Sequence, residues 1–141
     1  CCLDSLNHIT DYSAFCTAIS KVSLFLEKDR LFIFDLNTVF KHKHILADNT
    51  YVIDREDVYC VWQNETDPET LETDILLDFF IRDGDVYRRS GEEFSERAYS
   101  DRQIDEALIS AGLEKVAVYE DMTLSPPKDT TERAIYVTRK I

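Results

Sequence analysis

The chain has 141 residues, room for one domain, with 44% hydrophobic and 11% aromatic residues, so a packed core is expected and disorder is not. Sixteen basic against 28 acidic residues give a formal charge of −12, which repels phosphates and argues against nucleic-acid partners and anionic membranes. The pair Arg88-Arg89 is too small to reverse that, and no apolar run approaches the ~18 residues of a membrane span.

The opening residues Cys1 to His8 read as the end of a buried strand, Cys1–Leu3, running into a polar loop. The chain therefore reads as the second half of a larger fold. A helix follows from about Asp11 to Lys28, with Asp11 as N-cap and Tyr12, Phe15, Ile19, Val22 and Leu26 on its buried face. Leu31-Phe32-Ile33-Phe34 is a continuous apolar run, which predicts a strand covered on both faces, as in a parallel sheet. With Cys2-Leu3 it would complete a β–α–β unit. From Tyr51 to Tyr99 the pattern becomes antiparallel: strands at Val58–Asn64, Leu71–Ile81 and Val86–Arg89, with a turn at Asp83-Gly84, predict a three-stranded meander. Ser100 to Gln103 is a capping box, followed by a helix with Ile104, Ala107, Leu108 and Ala111 buried and Gly112 as its left-handed stop. Strands at Val116–Tyr119 and Arg133–Arg139 close the chain, separated by Ser125-Pro126-Pro127-Lys128.

The expected class is α/β in one domain, residues 1 to 141, with the segment from about 51 to 99 as an antiparallel insertion. Asp4-Ser5-Leu6-Asn7, Phe34-Asp35-Leu36-Asn37-Thr38, Arg97-Ala98-Tyr99-Ser100 and Glu132-Arg133, taken in this order, resemble the C-terminal half of a class I S-adenosylmethionine-dependent methyltransferase. The nearest likeness is to the small bacterial enzymes with an antiparallel cap after their fifth strand. The resemblance implies a Rossmann-like sheet, with ligands beyond the carboxyl ends of its strands. It also implies that Asp4, Ser5, Leu6 and Asn7 flank S-adenosylmethionine, that Asp35 is the catalytic candidate, and that Asn37, Arg97 and Tyr99 face a small-molecule methyl acceptor.

The Gly-rich turn and the ribose-binding acidic residue of that family have no counterpart here, since Gly84, Gly91 and Gly112 are all assigned to turns or a cap. The chain alone is therefore not expected to bind S-adenosylmethionine tightly. Methyl transfer depends more on alignment than on an acid–base pair, so no diagnostic dyad is expected. Asp35 fits two roles, base toward the acceptor or cap of the following turn. Arg97 fits either a carboxylate clamp or a structural ion pair.

His42 and His44, with Cys1 and Cys2, raise a metal reading, but no ligand spacing supports it and solvated loop histidines are expected. Cys1, Cys2, Cys16 and Cys60 form no disulfide framework, which points to a reducing cytoplasm. The alternative from another class is a noncatalytic acidic α+β interaction module. An unpaired strand edge at Cys1–Asn7, with Tyr12, Phe15 and Val22 nearby, predicts self-association.

Overall fold

The computed structural model describes all 141 residues and arranges them as two antiparallel sheets and two helices. Helix α1 is Tyr12–Phe25; β1 is Leu31–Asn37; a π-helical segment covers Lys41–Leu46. Strands β2 (Thr50–Asp54), β3 (Val58–Thr66), β4 (Glu72–Asp83) and β5 (Val86–Arg97) follow, then α2 (Asp101–Ser110), β6 (Leu113–Glu120) and β7 (Arg133–Lys140). One sheet has the order β1–β7–β6 and the other β2–β3–β4–β5.

Local chemistry sets the element ends. Asp11 accepts from the Ala14 amide at 2.7 Å to start α1. Ser100 and Gln103 form the reciprocal capping box of α2, and Gly112 takes φ +69° just beyond its end. Gly84, at φ +64°, turns the β4–β5 hairpin.

Both helices pack on one face of the three-stranded sheet. Phe15 and Ile19 of α1 are fully buried against Phe32, Phe34 and Leu36 of β1, Ile104 and Leu108 of α2, and Tyr136 of β7. Each such side chain contributes about 1.5–3 kcal/mol by leaving water. The rings of Phe15 and Tyr99 sit 4.2 Å apart, and Phe34 stacks on Tyr136 at 5.1 Å.

Four expectations need correction. The opening residues are a turn, not a strand: Leu3 and Asp4 have φ of 60° and 52°, which extended backbone excludes. Cys1 alone lies beside β1, its N-terminal nitrogen donating to the Ile33 carbonyl (2.9 Å) and its carbonyl accepting from the Asp35 amide (3.2 Å).

The apolar run of β1 is covered on one face only. Phe32 and Phe34 are buried, whereas Leu31 and Ile33 are about half exposed, and the strand's ladder partner is the antiparallel β7. The meander has four strands rather than three, because Thr50–Asp54 pairs with β3.

Phe15 is buried and Tyr12 and Val22 pack against the core, while Leu24 and Phe25 of α1 and Leu31 and Ile33 of β1 are among the exposed apolar side chains. His42 is no loop residue. It is fully buried in the π-helix, while His44 is exposed.

Candidate active site

The carboxyl end of β1, the turn at residues 3 to 8 and the end of β5 meet in a polar junction. Its centre is Asn7, which is fully buried. The Asn7 Oδ1 accepts from the Asn37 amide at 2.9 Å, and its Nδ2 donates to the carbonyls of Arg97 (2.9 Å) and Asn37 (3.2 Å). One side-chain amide thus ties three segments together, with every polar atom satisfied.

Asp35 anchors the turn. Its Oδ2 accepts from the Leu3 amide (2.8 Å) and its Oδ1 from the Asp4 amide (2.6 Å), with Arg133 Nη1 at 3.7 Å from Oδ2. These bonds hold two left-handed non-glycine residues, a conformation that costs free energy. Both carboxylate oxygens of Asp35 are thus engaged by the amides of the turn.

Around this centre lie further charges. Asn37 Nδ2 donates to Asp4 Oδ2 (3.0 Å) and to Glu96 Oε2 (3.1 Å), while its Oδ1 accepts from Lys41 Nζ (3.0 Å). Arg133 Nη2 binds Asp4 Oδ2 at 2.7 Å. Glu96 is buried, and His8 Nε2 lies 3.6 Å from its Oε1. Burial, and then the charge of Asp4, push the Glu96 carboxyl above its ordinary range, opposed by the Asn37 hydrogen bond, His8 and Lys41.

His42 adds a directional chain. Thr66 Oγ1 donates to the Ala47 carbonyl (3.0 Å), so Thr73 Oγ1 donates to Thr66 (2.8 Å) and accepts from His42 Nδ1 (2.8 Å). The Nε2 is left as a buried acceptor without a partner. Burial and the neighbouring Lys41 lower the His42 pKa to about 4, against the opposing charge of Asp4.

Comparison with known proteins bears on this junction. No protein-family model matches the chain. It is 31% identical to an S-adenosylmethionine-dependent methyltransferase of known structure from Clostridium acetobutylicum, with a TM-score of 0.92 over 99% of this chain and 56% of that one. This chain carries the C-terminal portion of a class I methyltransferase fold. Two curated relatives agree: "Putative methyltransferase YqeM" of Bacillus subtilis is 25% identical over 139 residues, and "Putative methyltransferase GWCH70_2453" of Geobacillus sp. is 29% identical over 140. The chain spans about half the length of these relatives, 56% of each.

Within this methyltransferase fold, the sequence-predicted residues divide. Asp4, Asn7, Asp35 and Asn37 converge at the junction. Ser5 faces solvent, its hydroxyl donating to the Cys2 carbonyl (2.6 Å), and Leu6 lies in the apolar core.

Arg97 points away from the junction. Consecutive strand residues face opposite sides, so Glu96 turns in while Arg97 Nη1 donates to the Thr10 carbonyl (2.9 Å) and its guanidinium covers the Tyr99 ring. Tyr99 is buried in the core, its hydroxyl bonded to the Ile9 carbonyl.

Asn37 and Tyr99 also line a groove of about 710 Å³ on the helix side of β1, floored by Leu36, Ile104 and Tyr136. Of its charged lining residues, Lys115 pairs with Asp105 and Lys128 with Glu120, and Asp101 accepts from the Tyr136 hydroxyl at 3.4 Å.

Sequence reasoning missed Glu96, His8, Lys41 and the buried His42. Alternation along β5 could have found Glu96, as the neighbour that faces opposite Arg97. The four-residue spacing of Asn37 and Lys41 is a weaker signal.

No helix is long and apolar enough to cross a membrane. The glycines form no nucleoside cradle: Gly84 and Gly112 sit in turns and Gly91 within β5. The glycines therefore supply no backbone cradle for adenosine and ribose.

Proposed function

We propose that this chain is the acceptor-side half of an S-adenosylmethionine-dependent methyltransferase acting on a small molecule, inactive by itself. The observation that carries this reading is the junction at the carboxyl end of β1, where ligands of open α/β sheets bind. Asp4, Asn7 and Asn37 converge there, in a chain that matches the Clostridium enzyme over 99% of its own length.

S-adenosylmethionine, when bound, supplies an electrophilic methyl group. This chain's residues orient what it meets. Asn7 fixes the relative position of β1 and β5, Asp35 holds the turn that presents Asp4, and Asn37 aligns Asp4 with Glu96. Positioning of this kind supplies much of the rate in a displacement at carbon. Asp35 is thus a positioning residue, and Asp4 and Asn37 are the groups nearest the proposed ligands. The alternative of a noncatalytic module gains no observation of its own.

The same reading proposes association through the outer edge of β1, where Leu31 and Ile33 leave apolar surface uncovered. The functional test joins these 141 residues to the N-terminal portion of the Clostridium acetobutylicum enzyme and follows methyl transfer to a panel of small alcohols and amines. Transfer by the fused chain, lost on Asn37→Ala while the protein stays folded, supports the reading. A folded fusion that binds S-adenosylmethionine but methylates the panel no better than its Asn37→Ala variant contradicts it.

A further inference from the structure

We infer that the groove on the helix side of β1 is a binding site for an uncharged small molecule with a ring and a hydroxyl group, its ring on the apolar floor and its hydroxyl between Tyr136 and Asp101. That this molecule is the methyl acceptor rests on the methyltransferase reading; the binding site itself does not.

Shape comes first. The groove encloses about 710 Å³, and ligand cavities of about 300–1,000 Å³ are usual. Its apolar lining comes from Leu36 of β1, Ile104 of α2, Val118 of β6 and Ala134 of β7, with Phe40 and Pro127 from the connecting segments. Four elements thus build one apolar surface, and a ring laid on it removes water from both. The groove also continues into the polar junction. Asn37 lines it, and the same side chain donates to Asp4 and Glu96.

Tyr136 supplies the independent sign of an occupant. Its side chain is only 5% exposed, yet the one hydrogen bond of its hydroxyl is a 3.4 Å contact with Asp101 Oδ1, beyond the ~2.5–3.0 Å of an ordinary O–H···O bond. A buried hydroxyl so loosely held is costly. Burial, and then the charge of Asp101, push it above its ordinary pKa, so at neutral pH it keeps its proton and donates. A ligand hydroxyl satisfies both groups at once, accepting from Tyr136 and donating to Asp101. An ether oxygen can only accept.

Charge narrows the choice further. Both lysines of the groove are engaged, Lys115 with Asp105 and Lys128 with Glu120, whereas Asp101 and Asp129 have no cationic partner. A carboxylate entering the groove finds no free cation and two free negative charges. An ammonium would give up its water for an apolar floor with one neutral hydroxyl, a cost that the exposed, solvent-screened Asp101 does not repay.

The test is an NMR titration of the 141-residue chain at pH 7 with phenol as probe. Anisole, the same ring with its hydroxyl capped, and benzoate are the controls. Phenol is expected to shift the Ile104 and Val118 methyl signals and to saturate in the millimolar range. Anisole should bind about fivefold more weakly, the worth of one neutral hydrogen bond, and benzoate should leave the signals unmoved. Tyr136→Phe, which keeps the ring stacked on Phe34, should bring phenol down to the affinity of anisole. Asp101→Ala, at an exposed position, should weaken phenol several-fold and leave anisole unchanged, and it decides the matter if the first variant fails to fold.

Equal affinity for phenol and anisole, binding of benzoate, a response that does not saturate, or unchanged phenol affinity in Asp101→Ala overturns the proposal. Phenol binding by a chain whose fused enzyme methylates nothing would leave the groove standing and reject the methyltransferase reading. Methylation by the fused enzyme with no phenol bound would do the reverse.

Discussion

The two sheets of this protein are held together by different forces. All thirteen residues of the main apolar core come from the β1–β7–β6 sheet, the two helices and the segments that flank them; none comes from β2 to β5. The four-stranded sheet keeps its backbone ladder but buries little: residues 86 to 93 of β5 are exposed throughout. Beside the buried Leu46, Cys60 and Ile75, polar contacts tie it to the rest, the His42–Thr73–Thr66 chain and the Asn7–Asn37–Glu96 junction. Apolar burial is non-directional, whereas a buried hydrogen-bond network fixes one geometry and is costly when broken. The first sheet is thus the apolar platform, and the second is attached to it through directional contacts.

Removing an apolar anchor should separate the two most strongly. Phe15→Ala, at a fully buried position against Tyr99, should cost about 3–5 kcal/mol in urea unfolding. Tyr87→Ala, on the exposed stretch of β5, should change stability by less than about 0.5 kcal/mol. Equal losses for the two would erase the distinction between platform and attachment.

Acid should loosen the polar attachment. The folded-state pKa of His42 is lowered to about 4 from an ordinary 6.5, so its contribution is fully present above pH 6.5 and lost as pH falls toward 4. The full effect is about 3 kcal/mol. His42→Asn, which can still donate to Thr73, should be less stable than the parent at pH 7 and lose less on acidification. Parallel pH curves for parent and variant would show that His42 does not titrate as described.

A smaller loss is expected at the turn. Asp35→Asn replaces one carboxylate oxygen by a donor and leaves the Leu3 or Asp4 amide without its acceptor, a cost of about 1.5–3 kcal/mol. Hydrogen exchange should quicken at residues 3 to 8 and stay slow in α2. Uniform acceleration instead would make Asp35 a residue of the global core.

The smallest change runs the other way. Because the folded-state pKa of Glu96 is raised, its charged form opposes folding, and this penalty grows as pH rises above the ordinary 4.5 through the folded value. Glu96→Gln keeps an oxygen for Asn37 and should raise the melting temperature at pH 7, with the gain fading below about pH 4.5. A drop at pH 7 would mean that the carboxylate is already compensated.

What was legible in the sequence was local. Asp11, the Ser100–Gln103 box, Asp83-Gly84 and Gly112 each set their own backbone within a few residues, and each does so in the structure. Partners far apart in sequence were not legible. The ladder partner of Leu31 is Arg139, and an apolar run such as Leu31 to Phe34 does not say which face is covered or whether its neighbour runs parallel.

The π-helix and β2 carry no periodic signal, since Lys41–Leu46 mixes two histidines with lysines and Thr50–Asp54 has only one side chain even partly buried. Asp4, Asn7 and Asn37 stand in motifs read from the sequence, and the fold brings them together. Glu96 and His8 were missed because their meaning arises only when the turn at residues 3 to 8 folds onto the end of β5.

The central claim, that these residues form half of a cofactor-dependent site, is tested most directly by calorimetry with S-adenosylmethionine. No binding near the micromolar range is predicted for the 141-residue chain, since such affinity requires about 8 kcal/mol and the groups for adenosine and ribose are not among its residues. Micromolar binding is predicted once the chain is joined to the N-terminal portion of the Clostridium acetobutylicum enzyme. A dissociation constant near a micromolar for the chain by itself would contradict the claim.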